Sequence, residues 1–303
     1  MWHIQKARVG MKCLSYLILF LLTWTNCFTE AFSKGKSWNE MFELCDFRVI
    51  LGHVQPSKQP GYYGDAGMTN DMTKFVQKIR NIFWVEDNSL ISKFPPYFTN
   101  FTNLLGRLKI TNGVLLPWYK LLLDTHMCMM PSYQRRFFLI FIYREFKNGR
   151  NEDKWNAALQ NAGLPSNWLT KLKKVIVFKD VIQKAIKDGR SYAPTSDDAF
   201  RLARDVAEHG AEHRFAQGGA ERYRDDSGIE LMIPCYMEDF IPEIVAEVLK
   251  EGVNITNEYG LKSYYLILAN ACGMLEYHVA VADAVYLSGQ DQQVLLNLLH
   301  ETF

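Results

Sequence analysis

The 303-residue chain lacks an excess of either charge, with 34 basic residues against 33 acidic ones. A balanced surface exerts no general pull on nucleic acid, so nucleic acid is excluded as an expected partner. There is no CxxC pair, which leaves no cysteine-based zinc site and no thioredoxin-type motif. The sequence also has no G-x-S-x-G elbow, no phosphate loop and no dinucleotide fingerprint. An α/β-hydrolase, a P-loop enzyme and a nicotinamide oxidoreductase are therefore not indicated. No apolar run reaches the roughly 20 residues that span a bilayer. Low-complexity tracts and internal repeats are absent as well.

What the chain does have is apolar and aromatic residues, at 48% and 14% of the sequence. That composition folds around a sizeable core and does not stay disordered. At the N-terminus, Lys6, Arg8 and Lys12 precede an apolar run that begins at Cys13, and Thr29 and Ala31 are small residues two apart. A basic start, a short apolar run and small residues make a secretory signal. It predicts a start at Met11, cleavage near Ala31, and a secreted or periplasmic protein with no stable membrane span after cleavage. The competing assignment is a buried N-terminal helix, against which the run shows no polar face.

Cleavage there removes Cys13 and Cys27 and leaves Cys45, Cys128, Cys235 and Cys272. In an oxidising compartment these four can form two disulfides in three pairings. Cys128 and Cys272 sit in apolar runs and also suit buried thiols. Asn100 and Asn254 each begin an N-x-T triplet.

The patterning predicts a mainly α, multi-helix bundle with few or no strands. Ser37 and Glu40 fit a capping box for a short helix through Met41, Phe42, Cys45 and Val49. The stretch from Gly52 to Gly67 holds four glycines and two prolines and reads as a loop. Met72, Phe75, Val76, Ile79, Ile82 and Phe83 have helical spacing. Residues 104–123 are apolar, with breaks at Gly113 and Pro117. Phe137 to Tyr143 is assigned to helix, and Trp168 to Ile186 carries helical spacing up to Gly189. A linker at 190–196 divides an aromatic-rich helical region, 32–190, from a helical C-terminal region, 191–303. Thr195 to Asp198 starts a helix with a cap and acids at its positive end. It is expected to run on to Gly218. Phe240 to Lys250 has Pro242 in its first turn and Gly252 past its end. Ser263 to Leu275 and Leu287 to Leu299 are two further expected helices.

One motif has the makings of chemistry. Projected at 100° per residue, His209 and His213 lie one turn apart and can converge on one point. Two imidazoles can hold zinc while Glu212 takes a proton from the metal-bound water. Asp205, one turn before His209, would orient that ring. Glu276 and Glu301 are available as a further ligand. The order H-x-x-E-H resembles the inverzincin metallopeptidase motif. The resemblance implies His209 and His213 as zinc ligands and Glu212 as general base. The competing assignment is an amphipathic helix whose histidines pack against the core. His126 beside Cys128, the Met127 to Met130 run and the Glu276–His278 pair are read as packed core groups.

Residues 238–300 resemble helical proteins encoded in bacterial type VI secretion clusters. The likeness rests on Asp239 and Phe240, Gly252, the stretch Asn257 to Ser263 and an apolar helix with Gly273. It implies an accessory or cargo-linked role. Together these observations predict an exported helical protein that acts by binding a protein partner, with a zinc-dependent hydrolase as the alternative.

Overall fold

The structure, a computed structural model, describes residues 21–50, 53–84, 94–130, 132–213, 226–253 and 255. The helices expected at 263–275 and 287–299, Cys272, Glu276, Glu301 and the 257–263 stretch lie outside the described residues. The chain is mainly helical, and its strands among the described residues form two antiparallel two-stranded hairpins. It divides into two units. Unit 1 takes the described residues up to Phe83 together with Leu104–Thr125, and unit 2 takes the described residues of Trp84–Asn103 and those from His126 to Ile255.

Unit 1 is built on an aromatic cluster. Residues 21–32 are helical (α1), with Leu21, Trp24, Phe28 and Phe32 buried. The Phe28 ring lies 4.9–5.9 Å from the rings of Phe32, Trp38, Phe42, Phe47 and Phe75. The pairs with Trp38 and Phe42 are edge-to-face, the geometry favoured by ring quadrupoles, and the other three are tilted. Phe75 comes from α2, Gly64–Phe83, whose buried Met68, Met72, Phe75, Ile79 and Phe83 carry the expected helical spacing. In α4, Pro117–Asp124, Pro117 sits in the first turn. There Asp124 Oδ1 accepts a 2.9 Å hydrogen bond from Thr29 of α1.

Two local predictions are corrected here. The Ser37–Glu40 capping box does not form, and no α-helix follows it. Ser37 instead bridges to Gly61, and the backbone N–H groups of Trp38 and Glu40 donate to Asp71 of α2 at 2.6 and 2.7 Å. A buried carboxylate outcompetes the local cap because it satisfies both donors at once. A 3₁₀ turn at Leu44–Asp46 and a hairpin of β1, Phe47–Ile50, with β2, His53–Pro56, take the place of the helix. The break at Gly113 is the second hairpin, β3 Ile110–Thr111 with β4 Val114–Leu115. Asn112 and Gly113 both have positive φ, 54° and 72°. That is the Asn-Gly turn that matches strand twist.

Unit 2 is a helical assembly. Helix α5, Ser132–Lys147, packs against α9, Ser196–His209. Arg136 meets Ala207 and Lys147 meets Asp197, so the two run antiparallel. Between them lies an aromatic core of Tyr143, Phe146 and Phe200 with Trp155 of α6, Glu152–Asn161. The expected helix 168–189 is interrupted, giving α7 Trp168–Leu172 and α8 Ile176–Lys187. Residues 190–196 join α8 to α9 inside this unit, because α9 packs on α5, α6 and α8 alike. Pro234 obscured the periodicity of α10, Asp226–Met237, which the sequence pattern missed. Helix α11, Phe240–Lys250, has the predicted bounds and ends at Gly252, φ 76°. Helix α3, Phe98–Leu105, completes the element order.

The deepest charges in unit 2 are Arg135 and Glu230, each side chain 3% exposed. Arg135 Nε and Nη2 donate to the two carboxylate oxygens at 2.7 Å, and Nη1 donates to Met130 O at 2.6 Å. Such a fork satisfies both ions, whereas breaking it strands one charge. Glu230→Gln is expected to lose about 3–5 kcal/mol of unfolding free energy. Arg135→Met with Glu230→Leu should recover most of that loss. Urea titration of the two variants checks both statements.

Candidate functional site

The histidine motif lies at the end of α9. Thr195 Oγ1 accepts from Asp198 N at 3.2 Å, and Asp197 and Asp198 occupy the positive end, as the sequence predicts. The helix stops at His209, and Gly210–His213 continue as a 3₁₀ turn. Two contacts explain the switch. The Arg136 guanidinium donates to Ala207 O and Glu208 O, the carbonyls that residues 211 and 212 would use to extend the α-helix. Gly210 lies against α10, and a Cβ there would meet Ile229 Cγ2 at 2.6 Å.

A 3₁₀ turn advances about 120° per residue in place of about 100°, so the projection that put His209 and His213 on one stripe does not hold. His209 Nδ1 and Glu212 Oε1 are brought together at 2.8 Å, on side chains 45% and 58% exposed. The side chain of His213 lies outside the described residues. Asp205 does not stand behind His209. It is buried, accepts a hydrogen bond from the Tyr192 hydroxyl and pairs with Arg204 Nη1 at 3.0 Å. Burial followed by that bond raises the Tyr192 hydroxyl above its ordinary range. Among the described residues, no three histidine, cysteine or acidic side chains gather as a metal site.

The other sequence candidates take structural roles in unit 2. His126 is buried. Its Nδ1 accepts from Cys128 N at 3.1 Å, so Nε2 carries the proton and donates to Asn100 Oδ1 at 3.0 Å. Burial pushes the imidazole down to about 3 and the Cys128 thiol up to about 12. Both ring nitrogens are engaged, by the Cys128 backbone and by Asn100, so neither is available to take a proton from the Cys128 thiol. Asn100 Nδ2 donates onward to Asp239 at 2.7 Å, so the amide of that N-x-T triplet is occupied on both sides. Cys45 and Cys235 are exposed free thiols and Cys128 a buried one.

Sequence reasoning missed a cleft in unit 1 of about 460 Å³. Its walls are Trp38, Met41, Phe42 and Tyr63, with Glu40, Glu43, Lys58, Gln59 and Lys74 at the polar edge. Asp71 positions this wall by holding the turn in which Asn39 and Glu40 both have positive φ, 50° and 64°. Trp38 is locked by its Nε1 bond to Lys58 O at 2.8 Å. Both lysines are engaged: Lys58 pairs with Asp46 at 2.8 Å, and Lys74 pairs with Glu43 at 2.9 Å and lies over the Phe42 ring. Hydrogen bonds from Lys78 and then Lys74 hold the Glu43 carboxyl below its ordinary range. Met41 and Tyr63 stay 54% and 43% exposed at the rim. The available signal was Tyr62 and Tyr63 inside a glycine-rich loop, which is an unusual place for bulky rings.

Comparison with known protein families, with curated proteins and with solved structures gives no match.

Three predictions follow from this geometry. Gly210→Ala should lose about 1–3 kcal/mol by overpacking against Ile229, measured by chemical denaturation. Protein purified in zinc-containing buffer should hold far less than one equivalent of zinc, since among the described residues no third ligand gathers with His209 and Glu212. One equivalent that His213→Ala removes would establish the hydrolase instead. The third concerns pH. Burial, set against the two backbone donors, raises the Asp71 carboxyl from 3.8 to about 6. A raised carboxyl holds its proton more tightly in the folded state. Its contribution to stability is therefore complete below about pH 4 and is lost as pH rises through about 6. The stability of the protein relative to Asp71→Asn should accordingly fall between pH 4 and 7, and a flat difference would refute the assignment.

Proposed function

We propose that this is an exported, mainly helical binding protein that engages a protein partner through the unit 1 cleft. The observation that supports binding is the half-open shape of that cleft, whose wall is held by hydrogen bonds to Asp71 and to Lys58 O. An apolar wall is fixed from behind by a buried carboxylate while Met41 and Tyr63 remain at the rim. Concave sites with apolar walls and a few oriented polar groups are where ligands and partner side chains are held. A pre-set wall loses little entropy when a partner arrives. Tyr62, 77% exposed, extends the aromatic surface beyond the cleft. Support for export comes from the N-terminal sequence, its basic residues and apolar run. No helix among the described residues is long and apolar enough to cross a membrane. An accessory role, as the secretion-cluster resemblance implies, is compatible with a surface of this kind.

The proposal is tested by photo-crosslinking. A crosslinking residue at Tyr63 should trap a discrete partner in the native host, and one at Ile186, an exposed position in unit 2, should not. Met41→Asp should abolish the Tyr63 product and shift thermal stability by no more than a few degrees. Equal products at both positions, or none at Tyr63, would overturn the assignment.

A further inference from the structure

We infer that residues 21–32 stay in the working protein as a permanent core helix, so that any processing of the N-terminus cuts before Leu21 and not after Ala31. This goes beyond the binding role and holds wherever the partner docks.

The first support is periodicity. Leu21, Trp24, Thr25, Phe28, Thr29 and Phe32 are buried, at i, i+3, i+4, i+7, i+8 and i+11. Thr23, Asn26, Cys27 and Glu30 form the complementary stripe, three of intermediate burial and Glu30 exposed. An apolar face backed by a polar one belongs to a helix packed on a protein core. A signal's apolar run has no need of that pattern.

The second support is what α1 touches. Phe28 is fully buried and central, with rings of the 38–47 segment and of α2 around it. Trp24 meets Phe75 at 6.3 Å. The polar contacts are equally specific. Thr29 donates to buried Asp124, and Glu30 pairs with Lys120 at 3.2 Å. A chain cut after Ala31 would have to close the same cluster without its central ring and with a partner of Asp124 missing.

The test is made on the full chain with a C-terminal tag, expressed in an export-competent host and purified as folded protein. Peptide mapping should recover residues 21–32 from it, and intact mass should place the N-terminus at or before Leu21. A folded product that begins at Phe32 would overturn the inference. Two truncated chains give an independent readout. One beginning at Leu21 should keep the cooperative thermal transition and near-ultraviolet circular dichroism of the full chain. One beginning at Phe32 should lose both, and if it kept both the inference would fail.

Discussion

The burial of Phe28 is the constraint on which unit 1 depends. A ring at the centre of five others must be met from several directions, and edge-to-face packing allows few arrangements. Trp38, Phe42 and Phe47 reach it only if the chain turns sharply between Ser37 and Met41. That turn places two successive non-glycine residues at positive φ, which is unfavourable unless the surroundings compensate. Asp71 supplies the compensation by accepting two backbone N–H groups from within the core. The cleft lies on the outer side of the same turn, so its shape follows from the packing of the ring beneath it.

Unit 2 is governed by the need to satisfy polar groups that its packing buries. Arg135 and Glu230 neutralise each other, and His126, Asn100 and Asp239 form a chain of hydrogen bonds with the ring held neutral. Arg136 takes the last carbonyls of α9 and thereby ends the helix where the histidine motif begins. The motif is thus shaped by helix termination. Its one described contact, between His209 and Glu212, is at the surface.

Helices with regular spacing or clear end signals were legible in the sequence, as α2, α9 and α11 show, whereas the apolar run of α5 fits helix or strand by spacing and is placed as helix by its flanking arginines and its neighbours. The capping box at Ser37 misled because a cap is a local competition, and Asp71, 34 residues away in sequence, supplied a stronger acceptor. Pro234 hid α10, and the Asn112–Gly113 pair was a hairpin signal passed over as a break. Read end to end, the N-terminal run shows no polar face; at helical spacing Thr23, Asn26, Cys27 and Glu30 form one. Of the candidate site, the residues of the histidine motif were evident but their geometry was not. The cleft drew no notice, since its walls come from separate segments.

By itself the sequence determined the helical class, the bounds of α11, the cap of α9 and the absence of nucleotide and hydrolase signatures. Each of these is set within a few residues by spacing, capping chemistry or a contiguous motif. Only the tertiary structure decided that α9 stops at His209, that His126 and Cys128 are inert, and that α1 belongs to the core. Those outcomes depend on Arg136, on burial and on the ring of Phe28. All three are contacts between residues far apart in the chain, and their strength comes from the exclusion of water, which no local window of sequence records.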